Sequence, residues 1–208
     1  MPVKLFILGR PGSGKSTASH HIAVTAWSRG WFVLRLEDYD ILLRMFHADS
    51  GKEKFWAREH GGFDVRDFSV FDTALKELEE KIRLHLLLEK RHTLSIEFAR
   101  ADYQQALKLF SPELLQDAYF LYIETDVETC IQRIRERVAH PLSVDDFFVS
   151  EDILRGYYGG ESRTYMASSL REDFGITKQI EIIDNMGSQR EFLENVRHFA
   201  EQILDQEM

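Results

Sequence analysis

The sequence predicts an α/β fold, a five-stranded parallel sheet with helices packed on both faces. Three observations lead there. Short apolar runs alternate with stretches of helical periodicity along the whole chain, which is the pattern of strand–helix crossovers. The first apolar run leads directly into Gly9-Arg10-Pro11-Gly12-Ser13-Gly14-Lys15-Ser16, followed by Thr17, which matches the phosphate-loop pattern G-x-x-x-x-G-K-[ST]. Each strand ends near a polar residue (Gly9, Asp38, Glu97, Asp126 or Asp184), on the edge where open α/β sheets gather their ligands.

The elements follow in order. Val3 to Leu8 reads as a buried parallel strand, and Thr17 to Arg29 as a helix carrying Ile22, Ala23, Ala26 and Trp27, stopped by Gly30. Trp31 to Leu36 is the second strand. It ends in Glu37-Asp38-Tyr39-Asp40, with a short helix from Ile41 to Phe46. Ala48 to Asp64, rich in Gly and charge, reads as a mobile or partly helical excursion. A long helix from about Arg66 to Glu89 is marked by the stripe Leu75, Leu78, Ile82, Leu86. Thr93 to Phe98 and Ala118 to Glu124 are strands three and four. The helix carrying Val127, Ile131, Ile134 and Val138 follows them. His140 to Arg163 is irregular with one helical piece, Gln179 to Ile183 is the fifth strand, and Arg190 to Leu204 closes the chain as a helix. With the phosphate loop, these elements are expected to make a three-layer P-loop NTPase fold in one domain over 1–208.

Composition narrows the function classes. The 208 residues are 44% hydrophobic and 29% charged, a globular balance with enough chain for a full core. The net charge of −9 makes the chain a poor candidate for nucleic-acid binding, which needs Lys and Arg to displace counterions. A single cysteine, Cys130, rules out an intramolecular disulfide and a multi-cysteine zinc site. The histidines lack metal spacing, so Mg²⁺ is the one metal expected. With no long apolar stretch and no leader pattern, the expectation is a cytoplasmic protein without a membrane partner. The expected oligomeric state is monomer or homodimer.

The loop dictates a chemistry. Its glycines let consecutive N–H groups converge on an anion, and the helix that follows adds its unsatisfied N–H groups and dipole. Lys15 would reach the β- and γ-phosphates of a nucleotide, and the Ser16 hydroxyl would sit on Mg²⁺. Asp38 and Asp40, where strand two meets the edge, are candidates for the base that orients an acceptor hydroxyl and for a Mg²⁺ contact through water. As an alternative, they cap the next helix. Glu97 could hold Mg²⁺ through its water shell and Arg100 could clamp an acceptor anion, or the two form an ordinary surface pair. Arg133 and Arg137, four apart, share a helix face and could stabilise the transferring phosphate, whereas Arg135 points elsewhere. Arg155 and Arg163 could swing in from the irregular segment. Asp184-Asn185-Met186-Gly187-Ser188 could place backbone groups, Asn185 among them, against an adenine edge, with Gly187 permitting the close approach, or serve as an ordinary turn and N-cap. Phe55, Trp56 and Phe63, beside Lys52, Lys54, Arg58 and His60, could sandwich an acceptor ring or anchor a solvated rim. No N-K-x-D guanine signal occurs, which argues against a GTPase.

On these residues the chain resembles the small P-loop kinases of the nucleoside-monophosphate-kinase type, which include adenylate, shikimate and adenylylsulfate kinases. The specific match is G-R-P-G-S-G-K-S-T. Asp38 and Asp40 resemble the strand-two acceptor carboxylates of shikimate and adenylylsulfate kinases, and E-F-A-R at Glu97 to Arg100 is similar to the strand-three D-G-F-P-R of monophosphate kinases or the E-R-S of deoxynucleoside kinases. I-E-T-D-V-E-T-C-I-Q-R-I-R-E-R is similar to their strand-four and lid-helix run, and I-I-D-N-M-G-S to their adenine-side turn. The resemblance implies strand order 2-3-1-4-5, ATP as donor, Mg²⁺, an acceptor-side insertion at about 41–65 and a closing lid at about 138–165. Because a full D-G-F-P-R is absent, the motif does not assign a nucleoside monophosphate as acceptor. The expected function is phosphoryl transfer to a small-molecule acceptor (a nucleoside, nucleotide or other hydroxylated metabolite). The alternatives are a slow ATPase module working through a protein partner and a polynucleotide 5′-kinase.

Overall fold

The structure, a computed structural model, describes residues 2–88, 92–141 and 147–207. Five strands form the main sheet: β1 (Val3–Leu8), β2 (Phe32–Glu37), β5 (His92–Phe98), β6 (Tyr119–Glu124) and β7 (Ile180–Asp184). Their order is β2-β5-β1-β6-β7 and every pairing is parallel. Counting only these strands, the order is 2-3-1-4-5, as expected. β1 lies at the centre with every residue buried; its one charged residue, Lys4, is paired with Asp117. Its side chains alternate between two cores: Phe6 and Leu8 enter one, and Val3, Leu5 and Ile7 the other.

The first core is closed by α2 (Tyr39–Ala48), α3 (Ser69–Leu86), α4 (Tyr103–Leu107), α5 (Pro112–Leu115), α8 (Arg163–Ser168) and α9 (Leu170–Phe174). The second is closed by α1 (Lys15–Ser28) and α10 (Gln189–Gln206), whose Phe192, Val196, Phe199 and Ile203 form a buried stripe. A smaller third core joins α6 (Val127–Ala139) to α7 (Glu151–Gly156) through Ile131, Ile134, Leu154 and Tyr158. No helix among the described residues is long and apolar enough to cross a membrane.

The excursion after β2 differs from expectation. Helix α2 runs on to Ala48. An antiparallel hairpin then follows, β3 (Phe55–Ala57) paired with β4 (Phe63–Val65) around a 3₁₀ turn at Glu59–Gly61. Phe55 and Phe63 pack edge to face, and Phe46 stacks on Phe63, so aromatic packing rather than apolar periodicity specifies this short hairpin. Helix α3 starts at Ser69 rather than about Arg66, and just ahead of it the Asp67 carboxylate accepts from the Ser69 N–H. The expected end of that helix at Glu89, and part of the expected lid at 142–146, lie outside the described residues. Helices α4 and α5 are too short to show a sequence period.

Candidate active site

A cavity of about 830 Å³ opens at the carboxyl ends of β1, β2 and β5, within the range of ordinary ligand pockets. Its phosphate-loop side is lined by Pro11, Gly12, Gly14, Lys15, Ser16 and Thr17, with Arg133, Asn185, Gly187 and Phe192 beyond. Gly14 has φ 104°, and a Cβ there would meet Asn185 Nδ2 at 2.5 Å, so both the backbone and the space demand glycine. Asn185 Nδ2 donates to the Ser13 carbonyl at 2.7 Å, and its own carbonyl accepts from Arg133 Nη2 at 2.8 Å. Asn185 is thus a buried brace between the loop and α6 that also reaches the cavity wall. Lys15 Nζ donates to the Gly9 and Arg10 carbonyls at 3.0 and 2.9 Å. Burial lowers its pKa to about 8, against the opposing pull of Glu97.

Beside Ser16 lies a cluster the sequence reading did not assemble. Glu37 and Glu97 are register partners on β2 and β5. Arg35, one residue pair deeper on β2, donates from Nε to Glu97 Oε1 at 2.7 Å, and from Nη2 to Glu37 Oε2 at 2.7 Å and to Ser16 Oγ at 2.9 Å. A charged residue within the otherwise apolar run Trp31 to Leu36 was the available signal. The donor set, a serine hydroxyl and carboxylates on adjacent strands, has the hard oxygens that suit Mg²⁺.

The opposite side is walled by Asp38, Tyr39, Leu42, Phe63, Val65, Phe71, Arg100 and Phe147. Asp38 and Arg100 form a buried ion pair, Arg100 Nη1 to Asp38 Oδ2 at 2.5 Å. Arg100 also donates to the Ala99 carbonyl at 2.5 Å and the Phe71 carbonyl at 3.1 Å, with its guanidinium 4.4 Å from the Phe71 ring. Tyr39 stacks on Phe147 with ring centroids 3.6 Å apart, and on Phe63 at 5.7 Å. Tyr39 and Phe147 carried no periodic signal, so only the assembled fold identifies them.

Four predicted site residues do not line the cavity. Asp40 is exposed in the first turn of α2 and does not line the cavity; its charge faces solvent at the positive end of that helix. The Arg10 side chain turns away from the cavity and donates to the carbonyls of Tyr158 (2.8 Å), Thr125 (2.8 Å) and Gly160 (2.5 Å) and to Glu124 (3.1 Å). It ties the phosphate loop to the segment after α7. Gly9 and Ser13 are buried within the loop, and the Gly9 N–H donates to Tyr103 Oη at 2.8 Å. Glu97, Arg133 and Arg137 do line the cavity, and Arg137 Nη2 donates to the Phe147 carbonyl at 2.7 Å. Arg135 pairs with Glu151, and Arg155 with Glu128 and Glu151, outside the cavity. Asp126 accepts from Thr129 N–H as the α6 cap, and Asp184 accepts from Met186 N–H in a turn.

No family model matches the sequence, and no curated protein matches it. Solved structures do. A gluconokinase from Sinorhizobium meliloti 1021 aligns with a TM-score of 0.54 at 16% identity, covering 100% of this chain and 98% of its own. A sugar kinase from Janibacter sp. HTCC2649 aligns with a TM-score of 0.51 at 15% identity, covering 99% of this chain and 95% of its own. At these identities the likeness establishes the fold, that of the small P-loop kinases.

Proposed function

We propose that this chain transfers the γ-phosphoryl group of ATP, with Mg²⁺, to a hydroxyl of a small-molecule acceptor. The observation that carries this reading is that Lys15 of the phosphate loop and the buried carboxylate of Asp38 line one cavity. A nucleotide switch needs the first group and has no use for the second.

Each residue has a task in this reaction. The backbone of Pro11 to Thr17 cradles the donor phosphates, and Lys15 exchanges its carbonyl partners for phosphate oxygens. Ser16 and Glu97, with Glu37 beside them, are the residues that would hold Mg²⁺, which when bound neutralises charge on the phosphates. Arg133 and Arg137 flank the path of the transferring group. Asp38, held in one orientation by Arg100, accepts the hydroxyl proton as the new P–O bond forms and the bond to the leaving ADP breaks. Phe63, Phe71 and Phe147 offer apolar faces to an acceptor ring.

The test is incubation of purified protein with Mg²⁺-ATP and a panel of nucleosides, nucleoside monophosphates, sugars and aminoglycosides, reading products by mass. A phosphorylated acceptor formed by the native chain and lost in Lys15→Met supports the assignment. ATP loss without any phosphorylated acceptor overturns it in favour of an ATPase module.

A further inference from the structure

We infer that Arg35 is a resident cation at the metal position, which Mg²⁺ must displace when it arrives with the nucleotide. This rests on the phosphotransfer reading only in taking Ser16 and its neighbouring carboxylates as the metal corner.

The argument begins with the sheet. Glu37 and Glu97 are paired side by side on β2 and β5, and their side chains are largely withdrawn from water. Like charges on paired strands repel, and burial removes the solvent that would screen them. The arrangement therefore needs a cation between the strands, and Arg35 supplies one. Its guanidinium reaches both carboxylates and also the Ser16 hydroxyl, the atom the phosphate-loop pattern reserves for metal. The planar fork spans these oxygens in a way that a point-charged ammonium does not.

Bound Mg²⁺ would claim the same oxygens. A divalent ion held by Ser16 Oγ and the Glu97 carboxylate would repel a guanidinium bonded to the same oxygens. The Arg35 side chain keeps 30% of its exposure, so it has a way out towards solvent. Metal affinity is then set by competition. Without nucleotide the tethered guanidinium holds the corner against free Mg²⁺. With nucleotide the phosphate oxygens complete the metal's coordination and the exchange becomes favourable. Arg35 thereby makes metal binding dependent on nucleotide, and keeps the empty carboxylate pair stable.

The test uses Arg35→Met and Arg35→Lys, with Mg²⁺ alone and with ADP as probes and no acceptor. Arg35→Met should melt at a lower temperature than the native chain without metal and regain stability in millimolar Mg²⁺, while the native chain responds little to Mg²⁺ alone. Calorimetric titration of Mg²⁺ without nucleotide should show at least a tenfold gain in affinity in Arg35→Met and a smaller gain in Arg35→Lys. If Arg35→Met fails to fold, the native chain answers the question by NMR of arginine Nε–H groups. The Arg35 signal, assigned with Arg35→Lys, should shift on adding Mg²⁺ with ADP and stay in place with ADP in EDTA. A folded Arg35→Met with native metal affinity and no Mg²⁺-dependent gain in melting temperature overturns the inference, as does an Arg35 signal that ignores Mg²⁺. These readouts need no phosphorylated product, so they remain decisive if the acceptor panel yields none.

Discussion

On one side the cavity is walled by residues of one short run, Pro11, Gly12 and Gly14 to Thr17, braced by Asn185. On the far side it is walled by Asp38, Phe63, Phe71, Arg100 and Phe147, side chains from separate elements brought together by the sheet and the β3–β4 hairpin. The phosphate-loop half depends on a local backbone shape, which glycine and a helix start encode directly. The opposite half is built from a buried ion pair and an aromatic wall, which depend on long-range packing. The two halves should therefore fail differently when altered.

The largest effect is expected on the donor side. Lys15→Met should reduce phosphoryl transfer by about a thousandfold, the loss typical of removing a donor aimed at developing charge, and kinetics with any acceptor found by the panel would show it. The same lysine sets a pH dependence. Its folded pKa, lowered to about 8 from 10.5, means that the unfolded chain binds more protons between those values. The stability of the nucleotide-free protein should therefore rise as pH climbs through that window. Nucleotide binding should weaken over the same range, because phosphate favours the charged amine. Above pH 8, ADP binding should take up protons, measurable by calorimetry in buffers of different ionisation enthalpy. Binding without proton exchange at that pH would remove Lys15 from the phosphate contact.

Next comes the acceptor-side ion pair. Asp38→Leu or Arg100→Met alone strands a buried charge and should cost about 3–5 kcal/mol of stability. The double variant should recover most of that loss in denaturant titration, yet remain inactive in transfer. Recovered activity in the double variant would show that Asp38 has no role beyond the ion pair.

A smaller effect separates the halves most cleanly. Phe63→Leu removes one ring from the wall and should raise the acceptor KM about three- to tenfold, the worth of one aromatic contact. ATP affinity should stay unchanged. An equal loss of ATP affinity would mean that the two halves are coupled. The smallest effect is expected at Asp40, the other carboxylate that the sequence placed at the strand-two edge. Asp40→Asn should alter stability by no more than about 0.5 kcal/mol, as exposed substitutions usually do, and should leave transfer unchanged. A drop comparable to that of Asp38→Leu would return Asp40 to the site.

The sequence alone determined the sheet, its strands to within a few residues, and the run from Gly9 to Thr17. Apolar periodicity and a contiguous glycine motif are local properties, written where they act. Only the tertiary structure separated Asp38, buried against Arg100, from Asp40, turned to solvent two residues later on the start of α2. It also turned Arg10 away from the cavity, set Arg35 between Glu37 and Glu97, and stacked Tyr39 against Phe147. Those outcomes depend on which strand lies beside which, and on which charge finds a partner when water is excluded. Residues distant in the chain settle both questions together, and no window of sequence contains them all.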